Sequence, residues 1–227
     1  MTWTLRVLLT ITSLWLAALP NPVSAQMTVQ SIDIGLPHTT AIMMRGEMLG
    51  NEILRLKEMV SQLPSAKRLV VLLDSPGGLT QQGFDLGRFF HDAKIITMIP
   101  DGAICLSACA LAFLGGRDPE TSEPLRILSA GGKLGYHNFR RNWENRPYSK
   151  TDIENISRDA QMRVFEHMSY YRYVRAPIRF MQIGAGAKAS SMNMVSEGDA
   201  LELGISILNK DTGKLISPLK ITERLGR

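Results

Sequence analysis

The chain has 227 residues, 44% of them hydrophobic and 21% charged, with a formal net charge of +5. That is enough for one well-cored domain, and so small a positive excess predicts no nucleic-acid partner. The four histidines show no ligand spacing with the two cysteines, so neither a metal nor any other cofactor is expected.

Residues 1–25 read as an address. Arg6 supplies a short positive region, 7–19 is apolar apart from Thr10, Thr12 and Ser13, and Val23-Ser24-Ala25 has the small-residue form of a cleavage site. The apolar stretch is short for a bilayer, so the reading is a secretory signal peptide removed after Ala25, with an uncleaved anchor as the alternative. The expected location is periplasmic or secreted. No later apolar run is long enough for a membrane span. Residues 26–227 carry no tandem repeat, low-complexity tract or interdomain linker, which predicts a single domain.

After a polar lead-in, 39–44 reads as a strand. Leu49, Ile53, Leu56 and Val60 then mark one face of an amphipathic helix. Leu69-Val70-Val71-Leu72-Leu73 is a continuous apolar run, as expected of a strand covered on both faces. Leu79, Gly83, Leu86 and Phe90 repeat the helical spacing, and 95–99 is another buried strand. A short Ala-rich helix over 107–114 stops at Gly115-Gly116. This alternation predicts an α/β domain with a mainly parallel sheet.

Residues 117–124 form a polar loop, and 127–139 contains strand-like pieces broken by glycines. Arg140, Arg141 and Arg146 around Trp143 are the densest basic stretch and read as a solvated loop. From Thr151, taken as N-cap, to about Val174 the pattern predicts a long helix with Asp152 and Glu154 in its first turn. Ile156, Ala160, Val164, Met168 and Tyr171 line one face. At 1.5 Å per residue the helix spans roughly 36 Å, long enough to protrude toward a partner subunit or to lie over the sheet. Residues 194–208 read as strand, helix (197–203) and strand.

The chemistry concentrates at two corners. Asp74-Ser75-Pro76-Gly77-Gly78 follows one buried strand, and Ser107 opens the Ala-rich helix. A serine hydroxyl needs a base to take its proton and amide donors aimed at the oxyanion formed on attack. The Ala108 amide lies at a helix start, and the side-chain-free Gly77-Gly78 lets the Gly78 amide approach as a second donor. His137, in a strand-like stretch, is the candidate base. Cys105 and Cys109 flank Ser107. In an oxidising compartment they form either a disulfide, easier if Cys105 precedes the helix, or two small buried apolar side chains. Gly184-Ala185-Gly186-Ala187-Lys188 and Gly131-Gly132-Lys133 lack the spacing of phosphate loops.

Taken together, these segments resemble the catalytic subunit of Clp-type serine proteases, within the Clp protease/crotonase superfamily. Asp74-Ser75-Pro76-Gly77-Gly78 is similar to that family's Asn-Ser-Pro-Gly-Gly turn. Residues 107–116 resemble its nucleophile helix at the same spacing, and Gly135-Tyr136-His137-Asn138 falls where its catalytic histidine lies. Thr151-Asp152-Ile153-Glu154 resembles the start of its subunit-packing helix, and 196–204 its closing Ser-Ala-x-Glu-Ala segment. The resemblance covers roughly 39–208. It implies repeated β-β-α units, a homo-oligomer, Ser107 as nucleophile, His137 as general base, and an oxyanion hole from Gly78 and Ala108. The third triad position falls on Met192. Neighbouring Asn193 could orient His137 through its carbonyl oxygen, and Asp199 is a further carboxylate. A Ser–Lys dyad through Lys133 or Lys150 is the second choice of base.

The expectation is an exported peptidase acting on peptides or unfolded chains. With no ATP outside the cytoplasm, no ATPase partner is expected. The competing expectation is a weakly active or inactive scaffold serving in binding or assembly. A coenzyme A thioester enzyme fits the fold but not the compartment.

Overall fold

The structure, a computed structural model, describes residues 26–63, 68–138, 144–187 and 191–218. The expected signal segment, Arg140, Arg141, Trp143 and Lys188 lie outside the described residues. In chain order the elements are β1 (Thr28–Ile32), β2 (Thr39–Arg45), α1 (Glu52–Gln62), β3 (Arg68–Asp74), α2 (Thr80–Asp92), β4 (Ile96–Ile99), β5 (Ile104–Leu106) and α3 (Ala108–Phe113). They continue with β6 (Arg126–Ser129), β7 (Lys133–Tyr136), α4 (Lys150–Tyr173), α5 (Arg179–Ala185), β8 (Asn193–Met194), α6 (Glu197–Glu202), β9 (Ser206–Leu208) and β10 (Leu215–Ile216).

The apolar runs become the centre of a seven-stranded sheet ordered β1-β2-β3-β4-β6-β9-β10. Neighbours from β2 to β9 pair in parallel, while β1 and β10 close the two edges antiparallel. Val70, Val71, Leu72 and Leu73 are all buried, as a parallel strand covered on both faces requires. The mixed α/β class with a mostly parallel sheet is therefore as expected. A second, three-stranded sheet, β5-β7-β8, pairs β5 with β7 in parallel and β7 with β8 antiparallel.

The helices α2 and α3 approach closely through glycines. A Cβ on Gly83 would strike the Ala108 backbone, and one on Gly115 would strike the backbone of Gly87. Phe84, Phe90 and Phe113 fill the remaining space and are at most 1% exposed. α3 follows directly from the end of β5 and packs against α2, β5 and β7.

The long helix departs from expectation at its start. Its N-cap is Ser149, not Thr151. Ser149 Oγ accepts from the Asp152 amide at 3.1 Å while Asp152 Oδ2 accepts from the Ser149 amide at 2.8 Å, a complete capping box. Its core-facing residues are His167, Tyr170 and Tyr171, whereas Val164 and Met168 are exposed. Burial is confined to the last two turns, and of the expected face Ile156, Ala160, Val164 and Tyr171 look onto the cleft described below. No helix among the described residues is long and apolar enough to cross a membrane.

Candidate functional site

Three strand ends converge on one place, which is where open parallel sheets present ligand sites. β3 runs out into the turn 74–78, β5 into Ser107, and β7 into His137. Register does the alignment: Leu106 pairs with Gly135, the Ser107 amide donates to the Gly135 carbonyl at 3.0 Å, and Ser75 bridges to Cys105. Residues far apart in sequence are thus fixed by backbone hydrogen bonds rather than by loops.

At the junction, Ser107 Oγ lies 2.6 Å from His137 Nε2. To receive the hydroxyl proton at Nε2, the ring must carry its own proton on Nδ1. Ser107 itself sits at φ 56°, ψ −119°, a conformation that L side chains rarely adopt and that costs on the order of 1–3 kcal/mol. The sharp strand-to-helix corner lifts the hydroxyl out of the helix and toward the imidazole. As a result Ser107 occupies the N-cap position of α3 but makes no side-chain cap hydrogen bond.

The turn 74–78 is held from several sides. Asp74 Oδ1 accepts from the Ile104 amide at 3.1 Å and Oδ2 from Arg45 Nε at 2.8 Å. Ser75, fully buried, accepts the Gly77 amide at 3.0 Å, and the Gly77 carbonyl accepts from the Met48 amide at 2.7 Å. Gly77 has φ 104° and Gly78 φ 141°, and a Cβ on Gly77 would touch the Leu106 carbonyl and Ser107. These constraints bring the turn against the serine corner. Among the described residues the Gly78 and Ala108 amides are committed to no protein acceptor, which leaves both for an oxyanion.

A cleft of about 840 Å³ opens over this junction, lined by Gly78, Ser107, Ala108 and His137 on one side. Leu111 and Met181 add apolar surface, and the far wall is α4, which presents apolar Ile156, Ala160, Val164 and Tyr171 beside polar Asp159, Arg163 and His167. These three at i, i+4 and i+8 form a polar stripe that the sequence reading passed over. Only the docking of α4 across the strand ends shows that they share a cleft with Ser107. His167 is buried, its Nδ1 donates to the Arg163 carbonyl at 2.9 Å, and its ring meets Phe84 edge-on at 4.7 Å. Burial holds its pKa below the ordinary histidine value.

The third triad position is different. Asn193 pairs with Tyr136 across β7 and β8, and its Nδ2 donates to the Ile183 carbonyl at 2.9 Å, which fastens β8 to α5. Among the described residues no hydrogen bond joins Asn193, or any carboxylate, to the His137 ring. Asp199 caps α6 with Ser196 and lies 3.5 Å from Arg179. Neither Lys133 nor Lys150 lines the cleft. The cysteines, left open by sequence, are bridged with Cα atoms 5.1 Å apart, because Cys105 belongs to β5 and only Cys109 to the helix. Among the described residues no three His, Cys, Asp or Glu side chains could together hold a metal ion.

Comparison of the chain with protein-family models and with curated proteins returned no match. The functional reading therefore rests on the site itself.

Proposed function

We propose that this protein is an exported, ATP-independent serine peptidase of Clp-like fold, in which Ser107 is the nucleophile and His137 the general base. The observation that carries the reading is the 2.6 Å contact between Ser107 Oγ and His137 Nε2, beside two uncommitted amides. The Ser107 proton passes to Nε2 as Oγ attacks the substrate carbonyl, and the oxyanion forms against the Gly78 and Ala108 amides. The imidazolium then protonates the leaving amine, and water, activated by the same ring, releases the acyl group. The expected signal peptide places the enzyme where ATP is absent, so its substrates are short peptides or unfolded chains that enter the cleft unaided. Exposed Ile153, Met162 and Phe165 on α4 support assembly into a homo-oligomer.

A second reading has one observation in its favour. No carboxylate among the described residues hydrogen-bonds His137, and loss of an orienting carboxylate lowers turnover by about four orders of magnitude. On that reading the protein is a weakly active or inactive scaffold for binding or assembly.

A fluorophosphonate probe separates the two. The peptidase reading expects stoichiometric labelling of wild type, none of Ser107→Ala, and turnover of a peptide ester. Equal labelling of wild type and Ser107→Ala, or none of either, would sink it. Clean labelling without turnover would favour the scaffold.

A further inference from the structure

The two ends of α3 are held by unlike means. Four carbonyls at its C-terminal end each accept from a buried side chain. Tyr136 Oη donates to Ala110 at 3.3 Å, Tyr170 Oη to Leu111 at 2.6 Å, Thr97 Oγ1 to Phe113 at 2.8 Å, and Arg126 Nε to Leu114 at 2.8 Å. Among the described residues the N-terminal end has no such side-chain hydrogen bond, only the packing of the Ala108 backbone against Gly83. A helix start is ordinarily pinned by the hydroxyl or carboxylate of its N-cap residue. Here that residue is Ser107, and its hydroxyl is turned to His137 instead. A helix of six residues with an uncapped start would fray from that end, and Ala108 is its first residue.

We propose that the Cys105–Cys109 disulfide replaces the missing cap and is the positioning device of the active corner. It joins the residue two before Ser107, on β5, to the residue two after it, on α3. Both cysteines are fully buried. The bond therefore spans the strained Ser107 backbone and holds the first turn of α3, with the Ala108 amide, against the strand that sets the serine. The Ser107 hydroxyl is free for chemistry because a covalent link, which satisfies no amide but fixes the first turn in place, restrains the helix start in its stead. Catalytic competence is thereby tied to an oxidising compartment. A dithiol reductant would open the corner by giving two electrons and two protons to the sulfurs, itself becoming a cyclic disulfide.

The inference rests on the serine-hydrolase reading for its effect on rate, but its structural part can be read separately. The protein is unfolded, reduced with dithiothreitol and refolded under reductant, and free thiols are counted to confirm two per chain. The reduced, refolded protein is expected to react with a fluorophosphonate some 10–100-fold more slowly than the oxidised protein. For a peptide ester, kcat should fall by that factor with KM within twofold, and re-oxidation should restore the rate. Cys105→Ala/Cys109→Ala should behave as the reduced protein does. Amide exchange should quicken in 108–113 and stay unchanged in β3 and β4.

Equal labelling rates with two counted thiols would overturn the proposal. So would a protein that refolds only once oxidised, since the bridge would then hold the whole fold rather than one corner. If the oxidised protein does not label at all, the peptidase reading falls. The clamp then stands if reduction speeds exchange in α3 alone, and falls if it does not.

Discussion

The shortest and the longest helices bordering the cleft are built on opposite terms. α3 has six residues, all buried, and is tied at one end by four side chains and at the other by a disulfide. α4 has 24 residues and a complete capping box, yet buries only three of them. In isolation the ranking would be reversed, because helix stability grows with length and capping and six residues are too few to hold a helix. The protein makes its rigid wall from the weaker helix by surrounding it, and its second wall from a self-sufficient helix anchored at one end. The proposed nucleophile sits at the start of the first wall, where for a catalytic role placement errors of about 1 Å would be costly. The second wall carries only cleft-lining side chains.

The comparison breaks if the rigid wall proves tolerant. Gly78→Ala is the sharpest test, because a Cβ there would run into the Met48 backbone at a φ of 141° that alanine resists. The turn must shift, carrying the proposed oxyanion donor with it. Labelling and ester turnover should fall by roughly 10²–10³-fold, the worth of one such donor. Activity within threefold of wild type in a folded Gly78→Ala protein would show that this amide takes no part.

Arg126 tests what holds the rigid wall from beneath. Its guanidinium is fully buried, with Nε donating to the Leu114 carbonyl at 2.8 Å and Nη2 to the Val174 carbonyl at 2.7 Å. One cation thus serves the C-terminal ends of both α3 and α4, and burial lowers its pKa to about 10. Arg126→Met fills similar volume but leaves both carbonyls without their donor. A loss of roughly 3 kcal/mol follows, or about 10 °C in Tm by thermal denaturation. A Tm within 2 °C of wild type would mean that the two helix ends are held by other contacts.

How far the site was legible follows the same division. Apolar runs such as 69–73 announce buried parallel strands, and a Pro-Gly-Gly turn and a serine at fixed spacing announce a corner, because each is a local pattern. β1 and β10 were not legible, since edge strands carry mixed polar residues and pair only through tertiary contact. α5 follows Pro177 and is too short to show a period. The disulfide hinged on whether Cys105 was strand or helix, a boundary of one or two residues that pattern alone does not resolve. Nothing local in the sequence marks Arg126 as a buried cation, or Asp159, Arg163 and His167 as lining a cleft. Their roles depend on where a distant helix lands.

The smallest expected effect concerns that helix. His167 lies in the anchored end of α4, and its pKa is lowered chiefly by burial, with the hydrogen bond to the Arg163 carbonyl and the charge of Glu166 opposing and that of Arg163 assisting. The unfolded chain therefore binds a proton at a higher pH than the folded one does. Its contribution to stability is complete above the ordinary histidine value of 6.5 and is lost as pH falls from there through the folded value. For one proton the slope is no steeper than about 1.4 kcal/mol per pH unit. Urea unfolding of wild type and His167→Gln across pH 5–8 isolates it, since glutamine keeps a donor for the Arg163 carbonyl without titrating. The wild-type curve should drop away from the variant's on the acid side. Parallel curves would mean that the imidazolium is accommodated in the cleft, and that the α4 wall is looser at its anchored end than the burial of His167, Tyr170 and Tyr171 implies.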